Sequence, residues 1–167
     1  MICASVIYGK GILHSGTHII DLLRYLFGEV KEYKALHSIK DCIGFDDVTI
    51  GGFLRLKRCD QCYVMAGDDR EYSFFQLDIV CEKSRLYFSD LGFLFTEQQV
   101  INDPVYKGYK ILGKSKTRKT NFDKAMINMV SNAVGHISVG EPLVCDAEDA
   151  METQKICLNF KKQICRN

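Results

Sequence analysis

Residues 8–30 read YGKGILHSGTHIIDLLRYLFGEV. The stretch sets His14 and His18 around a small-residue turn and runs into an apolar segment. Ile19, Ile20, Leu22, Leu23, Leu26 and Phe27 recur at helical spacing, which predicts a helix over 17–27 with a wide apolar stripe. Ser15 or Thr17 can cap its start, and Gly28 suits its end.

Beyond Val30 the period changes. DDVTIGGFLRLK places Val48, Ile50, Leu54 and Leu56 on one strand face, and EYSFFQLDIVCEK does the same with Phe75, Leu77, Ile79 and Cys81. SRLYFSD and GFLFTEQQV read as further strands. The breaks GDDR, EKS and DLG are too short for a crossover helix, so the strands are expected to form one antiparallel meander. Helices follow as covers. Phe122, Ala125, Met126, Met129, Val130, Ala133, Val134 and Ile137 step by three and four. A second helix follows GEPLV, with Asp146, Glu148 and Asp149 at its start and Lys161, Lys162 and Arg166 at its end, as the helix dipole favours. The expected class is α+β: a single domain over 1–167, an open, mainly antiparallel sheet with helices packed on one face. Thr49, Phe53, Tyr72 and Phe74 fall on the other face, too apolar to leave to water, so a homodimer through the open sheet face is expected.

With a net charge of +1, the chain gives no global electrostatic reason to expect nucleic acid or a membrane surface as partner. Lys10, Asp21 and Arg24 interrupt the longest apolar runs, and MICASVIYGK lacks the basic start of a signal peptide. The eight cysteines include Cys81 and Cys157 at positions that want a small core residue, so reduced thiols in the cytoplasm are expected rather than a disulfide framework.

Four motifs bear on chemistry. GYKILGKS, Gly108–Ser115, matches the phosphate-loop pattern, but its variable positions look like a strand and KTRKTN is no helix, so an edge strand running into a solvated basic loop is expected. CDQC, Cys59–Cys62, is a lone pair in an apparent hairpin, without the second pair a structural zinc requires. His14 and His18 have a metal-ligand spacing only if the helix is continuous, and Ser15 and Gly16 argue against that, so no metal is expected. His37 and His136 read as structural. His18 falls in the first turn of the apolar helix, where a side chain projects beside unpaired N–H groups, and imidazole is suited to acid/base work near neutral pH.

GKGILHSGTHIIDLLRYLFGEV resembles the segment opening the C-terminal domain in the glucose–fructose oxidoreductase / inositol dehydrogenase / MocA family, matching at Gly11, Leu13, Gly16, His18, Asp21, Leu26 and Gly28. The meander, the stretch Glu82–Leu86 and GEPLVCDAEDAMETQKIC extend the likeness over essentially the whole chain. The resemblance implies a fold like the C-terminal domains of dihydrodipicolinate reductase and glyceraldehyde-3-phosphate dehydrogenase. It implies hydride transfer between NAD or NADP and a hydroxyl-bearing carbon of a sugar, sugar derivative or cyclitol, with His18 as acid/base. His14, Lys10, Tyr8 and Thr17 would be substrate contacts. The family's aspartate four residues before the histidine is His14 here. The family's N-terminal Rossmann domain, which holds most of the cofactor, is absent from this chain, so the chain alone is expected to be inactive. The competing reading is a non-catalytic assembly or binding module, a remnant of such an enzyme.

Overall fold

The first strand of the chain lies in the middle of the sheet. The structure is a computed structural model and describes residues 3–42 and 46–165. β1 (Cys3–Tyr8) is followed by β2 (Val30–Ile39), β3 (Thr49–Leu56), β4 (Cys59–Ala66), β5 (Phe75–Val80), β6 (Ser84–Ser89), β7 (Leu94–Asn102), β8 (Lys110–Leu112) and β9 (Lys116–Lys119). The spatial order is β2-β3-β4-β1-β5-β6-β7-β8, with β9 also on β7. β1 pairs parallel with β4, from Ala4↔Cys62 to Tyr8↔Ala66, and antiparallel with β5; every other pair is antiparallel. The expected single meander is therefore two, β2-β3-β4 and β5-β6-β7, joined through β1. The alternating burial of β1, with Ala4, Val6 and Tyr8 inside, marks it as a sheet strand.

The mainly antiparallel α+β sheet is as expected, and α1 (Gly16–Phe27) and α3 (Ala147–Ile164) cover one face of its β1–β4 half. Ile19, Ile20, Leu23 and Phe27 of α1 meet Ile50, Leu54 and Leu56 of β3, and Ile156 and Phe160 of α3 complete the core. Phe160 stacks on Tyr33 with ring centroids 5.4 Å apart. This close approach needs Gly52, where a Cβ would stand 2.7 Å from the Phe160 ring and 2.4 Å from the Lys34 carbonyl oxygen. Asp146 caps α3, accepting from the N–H groups of Glu148 and Asp149, while Arg166 lies outside the described residues.

Arg24 joins the two helices. Its Nη1 donates to the Asp149 carbonyl (2.7 Å) and Thr153 Oγ1 (2.8 Å), and Nε and Nη2 donate to Glu29. It is only 7% exposed, so these bonds work where water does not compete.

Two expectations are corrected. The stepped helix, α2 (Ala125–Val139), does not cover the sheet: Met126, Ile127, Met129, Val134 and Ile137 are all exposed, and its side-chain bonds run from Asn132 and His136 to the 141–144 turn. The periodicity reported helix correctly but could not say what lies against the stripe. The opposite sheet face is also composed differently. Thr49 is buried at the end of β3, and Tyr72 and Phe74 lie in the β4–β5 loop. That face is the cross-strand row Lys34, Phe53, Tyr63, Ser5, Asp78, Tyr87, Thr96 and Thr117, with Phe53 and Tyr63 in edge contact at 5.5 Å.

All eight cysteines are free thiols, with Cys59, Cys62 and Cys157 buried and Cys81 packed against the core. Among the described residues no helix is long and apolar enough to cross a membrane.

Arg24→Met keeps much of the side chain's bulk but strands Thr153 and the Asp149 carbonyl at the α1–α3 contact. It is expected to lower unfolding free energy by about 2–3 kcal/mol, read from the urea midpoint at unchanged slope.

Candidate functional site

The chain turns sharply after β1. Lys10 takes φ 68° and Gly11 φ 84°, and one wide turn, Gly11–Ser15, closes with the Gly16 N–H on the Gly11 carbonyl before α1 begins. Four successive N–H groups of this turn find partners in the segment entering β3. Lys10 N–H donates to Asp41 Oδ2 (2.6 Å), Gly11 N–H to Thr49 Oγ1 (2.7 Å), Ile12 N–H to the Val48 carbonyl (2.8 Å) and Leu13 N–H to Asp47 Oδ2 (2.8 Å). Thr49 Oγ1 in turn donates to the buried Asp41 carboxylate at 2.8 Å. Gly11 is required here, because a Cβ would lie 2.2 Å from Asp47 Oδ2.

The turn separates the predicted site residues. His18 lies exposed in the first turn of α1 and lines a cavity of about 330 Å³ with Asp21, Leu22 and Tyr25 of α1, Asp149 of α3 and Cys145. Lys10 and His14 line a second cavity, of about 740 Å³, beside Asp41, Asp47 and Asp69. Thr17 stands between them, its Oγ1 donating to the His14 carbonyl at 2.6 Å. Tyr8 reaches neither cavity. It is 1% exposed, donates to the Ile50 carbonyl (3.0 Å) and accepts from the Ile50 N–H (3.2 Å). Burial holds its hydroxyl well above the ordinary tyrosine range. His14 and His18 thus face different cavities despite their spacing, since the wide turn breaks the helix between them.

The remaining motifs are structural in their surroundings. GYKILGKS forms β8 and the short link that carries the chain along β7 to β9, paired antiparallel to β7 and not at a helix start. The expected basic loop beyond it is corrected: Lys116–Lys119 form β9, paired to Leu94–Glu97. Cys59 and Cys62 are buried in β4, and burial with neighbouring Cys59 and Cys3 pushes the Cys62 thiol up to about 12, away from redox reactivity. His136 Nδ1 lies 2.7 Å from the Glu141 carbonyl, and the His37 ring covers Gly51. Among the described residues no group of three or more His, Cys, Asp or Glu is placed to hold a metal.

The residues present do not fit a dinucleotide diphosphate. Such a group needs free backbone N–H groups at a glycine turn before a helix. The turn before α1 has that shape, but Asp41, Asp47 and Thr49 already occupy its N–H groups, and the two carboxylates repel an anion. Asp41, Asp47 and Thr49 were not legible as site residues; the run DDVT signalled Asp47 and Thr49 only as a polar opening to an apolar strand, and nothing signalled Asp41.

No family model matches the chain, and no curated protein matches it by sequence. Solved structures do match. Levoglucosan dehydrogenase, in complex with NADH and L-sorbose, superposes with a TM-score of 0.75 at 13% identity, over 99% of this chain and 56% of that one. A dehydrogenase from Chromobacterium violaceum gives a TM-score of 0.71 at 12% identity, over 99% and 52%. UDP-N-acetylglucosamine 3-dehydrogenase from Acidithiobacillus ferrooxidans gives 0.67 at 12%, over 96% and 54%. The chain spans about half the length of the solved structures it matches.

Asp41→Ala removes the acceptor from the Lys10 N–H and the Thr49 hydroxyl in a buried setting and is expected to cost about 2–4 kcal/mol in urea unfolding. Asp46→Ala, on the exposed side of the same segment, is the control and should leave the midpoint within error.

Proposed function

We propose that this chain, which has the fold of the C-terminal domain of glucose–fructose oxidoreductase / inositol dehydrogenase / MocA-type oxidoreductases, is the substrate-binding and dimerisation part of an NAD(P)-dependent oxidoreductase. Its substrate is a hydroxyl-bearing sugar, sugar derivative or cyclitol. The observation that carries the reading is the placement of His18: an exposed imidazole on the first turn of α1, beside a cavity whose other walls bear Asp21 and Asp149. When a secondary alcohol is oxidised, its hydroxyl proton must leave as the carbon loses hydride. A His18 nitrogen takes that proton as a general base. Leu22 and Tyr25 give the cavity an apolar wall for the ring carbons of the substrate. NAD or NADP, which accepts the hydride, is held mainly by residues other than those of this chain.

Lys10 and His14 serve as polar contacts for more distant substrate groups, from the neighbouring cavity. The open sheet face, with Phe53 and Tyr63 on its β3 and β4, forms a homodimer. The setting is the cytoplasm, where the eight thiols stay reduced.

In a protein containing this chain and its cofactor domain, His18→Asn is expected to lower kcat by about 10²–10⁴-fold with little change in stability. An unchanged kcat removes His18 from the reaction. On the sheet face, the Phe53→Lys, Tyr63→Glu pair is expected to convert a sedimenting dimer to monomer; a monomeric parent chain removes the dimer.

A further inference from the structure

α2 is a helix without a charge. Its 15 residues, AMINMVSNAVGHISV, contain no Asp, Glu, Lys or Arg. One side of it is engaged within the chain. Asn128, Met129 and Ala133 line a cavity of about 530 Å³ with Leu143, Val144 and Cys145. Asn132 holds that segment at both ends of its amide: Nδ2 donates to the Pro142 carbonyl and Oδ1 accepts from the Val144 N–H, each at 3.0 Å. Gly140, at φ 73°, turns the chain back with its N–H on the His136 carbonyl. α2 and the segment after it are therefore one braced unit.

The other side carries Met126, Ile127, Val130, Val134 and Ile137. At 100° per residue these five make one stripe about 100° wide. All five are exposed, Met126 to 71% and Ile137 to 84%. Single apolar residues at a surface need no account, but a helix apolar on both sides is a buried element, and a continuous stripe marks a contact surface.

The position of the stripe says what covers it. Val144 and Cys145, which close the α2 cavity, also line the His18 cavity. A body seated on the outer side of α2 thus stands about one helix diameter, ~10 Å, from that cavity wall. Hydride passes directly from carbon to carbon, with the reacting atoms about 3–3.5 Å apart. The part that holds the dinucleotide has to come to the same cavity. The size of the stripe argues in the same direction. A helix of this length is about 22 Å long and about 10 Å across, so one side presents on the order of 200 Å². A free partner needs about 800 Å² on each side. A domain on the same polypeptide needs less, because the linkage holds it at about millimolar effective concentration. The solved structures that this chain matches have about twice its length.

Resting on the oxidoreductase reading above, we propose that the outer stripe of α2 is the seat of the dinucleotide-binding half of the same polypeptide, which packs there through an apolar element of its own. α2 then fixes the distance between the nicotinamide and His18.

The test is hydrogen exchange at the α2 amides, followed by mass spectrometry in this chain alone and in the polypeptide that joins it to its cofactor half. Protection over residues 127–137 is expected to rise at least tenfold in the longer protein. In the chain alone, Val134→Lys with Ile137→Lys should leave the urea midpoint within error, since both side chains are exposed. In the longer protein the same pair should remove the added protection and lower kcat/KM at least tenfold, while Val134→Ile with Ile137→Val keeps both. Equal exchange in the two proteins, or a lysine pair that leaves the protection in place, overturns the proposal. So does protection that appears in the chain alone with rising concentration or on adding phosphatidylcholine vesicles, which gives the stripe to a second copy or to a bilayer. Added protection in a longer protein that oxidises no sugar keeps the docking surface and rejects the oxidoreductase reading; sugar oxidation without added protection does the reverse.

Discussion

The structure depends on the turn after β1, and the turn depends on side chains that arrive some thirty residues later. A left-handed Lys10 followed by a left-handed Gly11 leaves consecutive N–H groups without helical or sheet partners. Asp41, Thr49 and Asp47, with the Val48 carbonyl, supply them all. The bond from Tyr8 to the backbone of Ile50 ties the end of β1 to the same strand. The entry to β3 thus fixes where α1 starts and which way its first turn faces. The strain of a non-glycine residue at positive φ, on the order of 1–3 kcal/mol, persists only because the surroundings over-determine it.

This constraint explains why the site divides. If the helix had begun at Gly11 without a wide turn, His14 and His18 would share one face and one cavity. The extra residue in the turn rotates them apart, placing His14 with the aspartates and His18 with Asp21 and Asp149. The same carboxylates that satisfy the turn's N–H groups give its surroundings a negative charge. The cations of β8 and β9 stand at the far edge of the sheet, away from this turn.

Local order was legible in the sequence because hydrophobic period and punctuation report it directly. Ile19 to Phe27 announced α1, Gly28 its end at φ 80°, and Asp146 the start of α3. Leu54, Leu56, Leu77 and Ile79 announced the buried strand face. Pairing was less legible, since it joins segments that the period does not connect. CASVIY carries an ordinary strand alternation, yet nothing in it says that β4 will run parallel beside it, because that follows from where α1 returns the chain. Long-range polar contacts were least legible. Thr49 read as an outward strand residue, Arg24 as an interruption of an apolar run, and Asp41 carried no signal. Each is buried because a partner far along the chain completes it. His18 was legible as a first-turn imidazole, but the carboxylate of Asp149 beside its cavity comes from a helix more than a hundred residues away.

The sheet carries these results across its width. On one face, the row from Gly52 through Val64, Val6, Leu77, Phe88 and Phe95 to Arg118 passes from beneath α3, through the core, to an uncovered aromatic strip and then to a cation. Apolar residues continue beyond the reach of α1 and α3, from Phe88 to Phe95. On the other face the companion row from Lys34 to Thr117 mixes rings, hydroxyls and charges, unlike the apolar core. One sheet separates the two compositions because adjacent side chains along each strand point to opposite faces. A substitution at any strand position therefore acts on one face or the other, according to the parity of its place in the register.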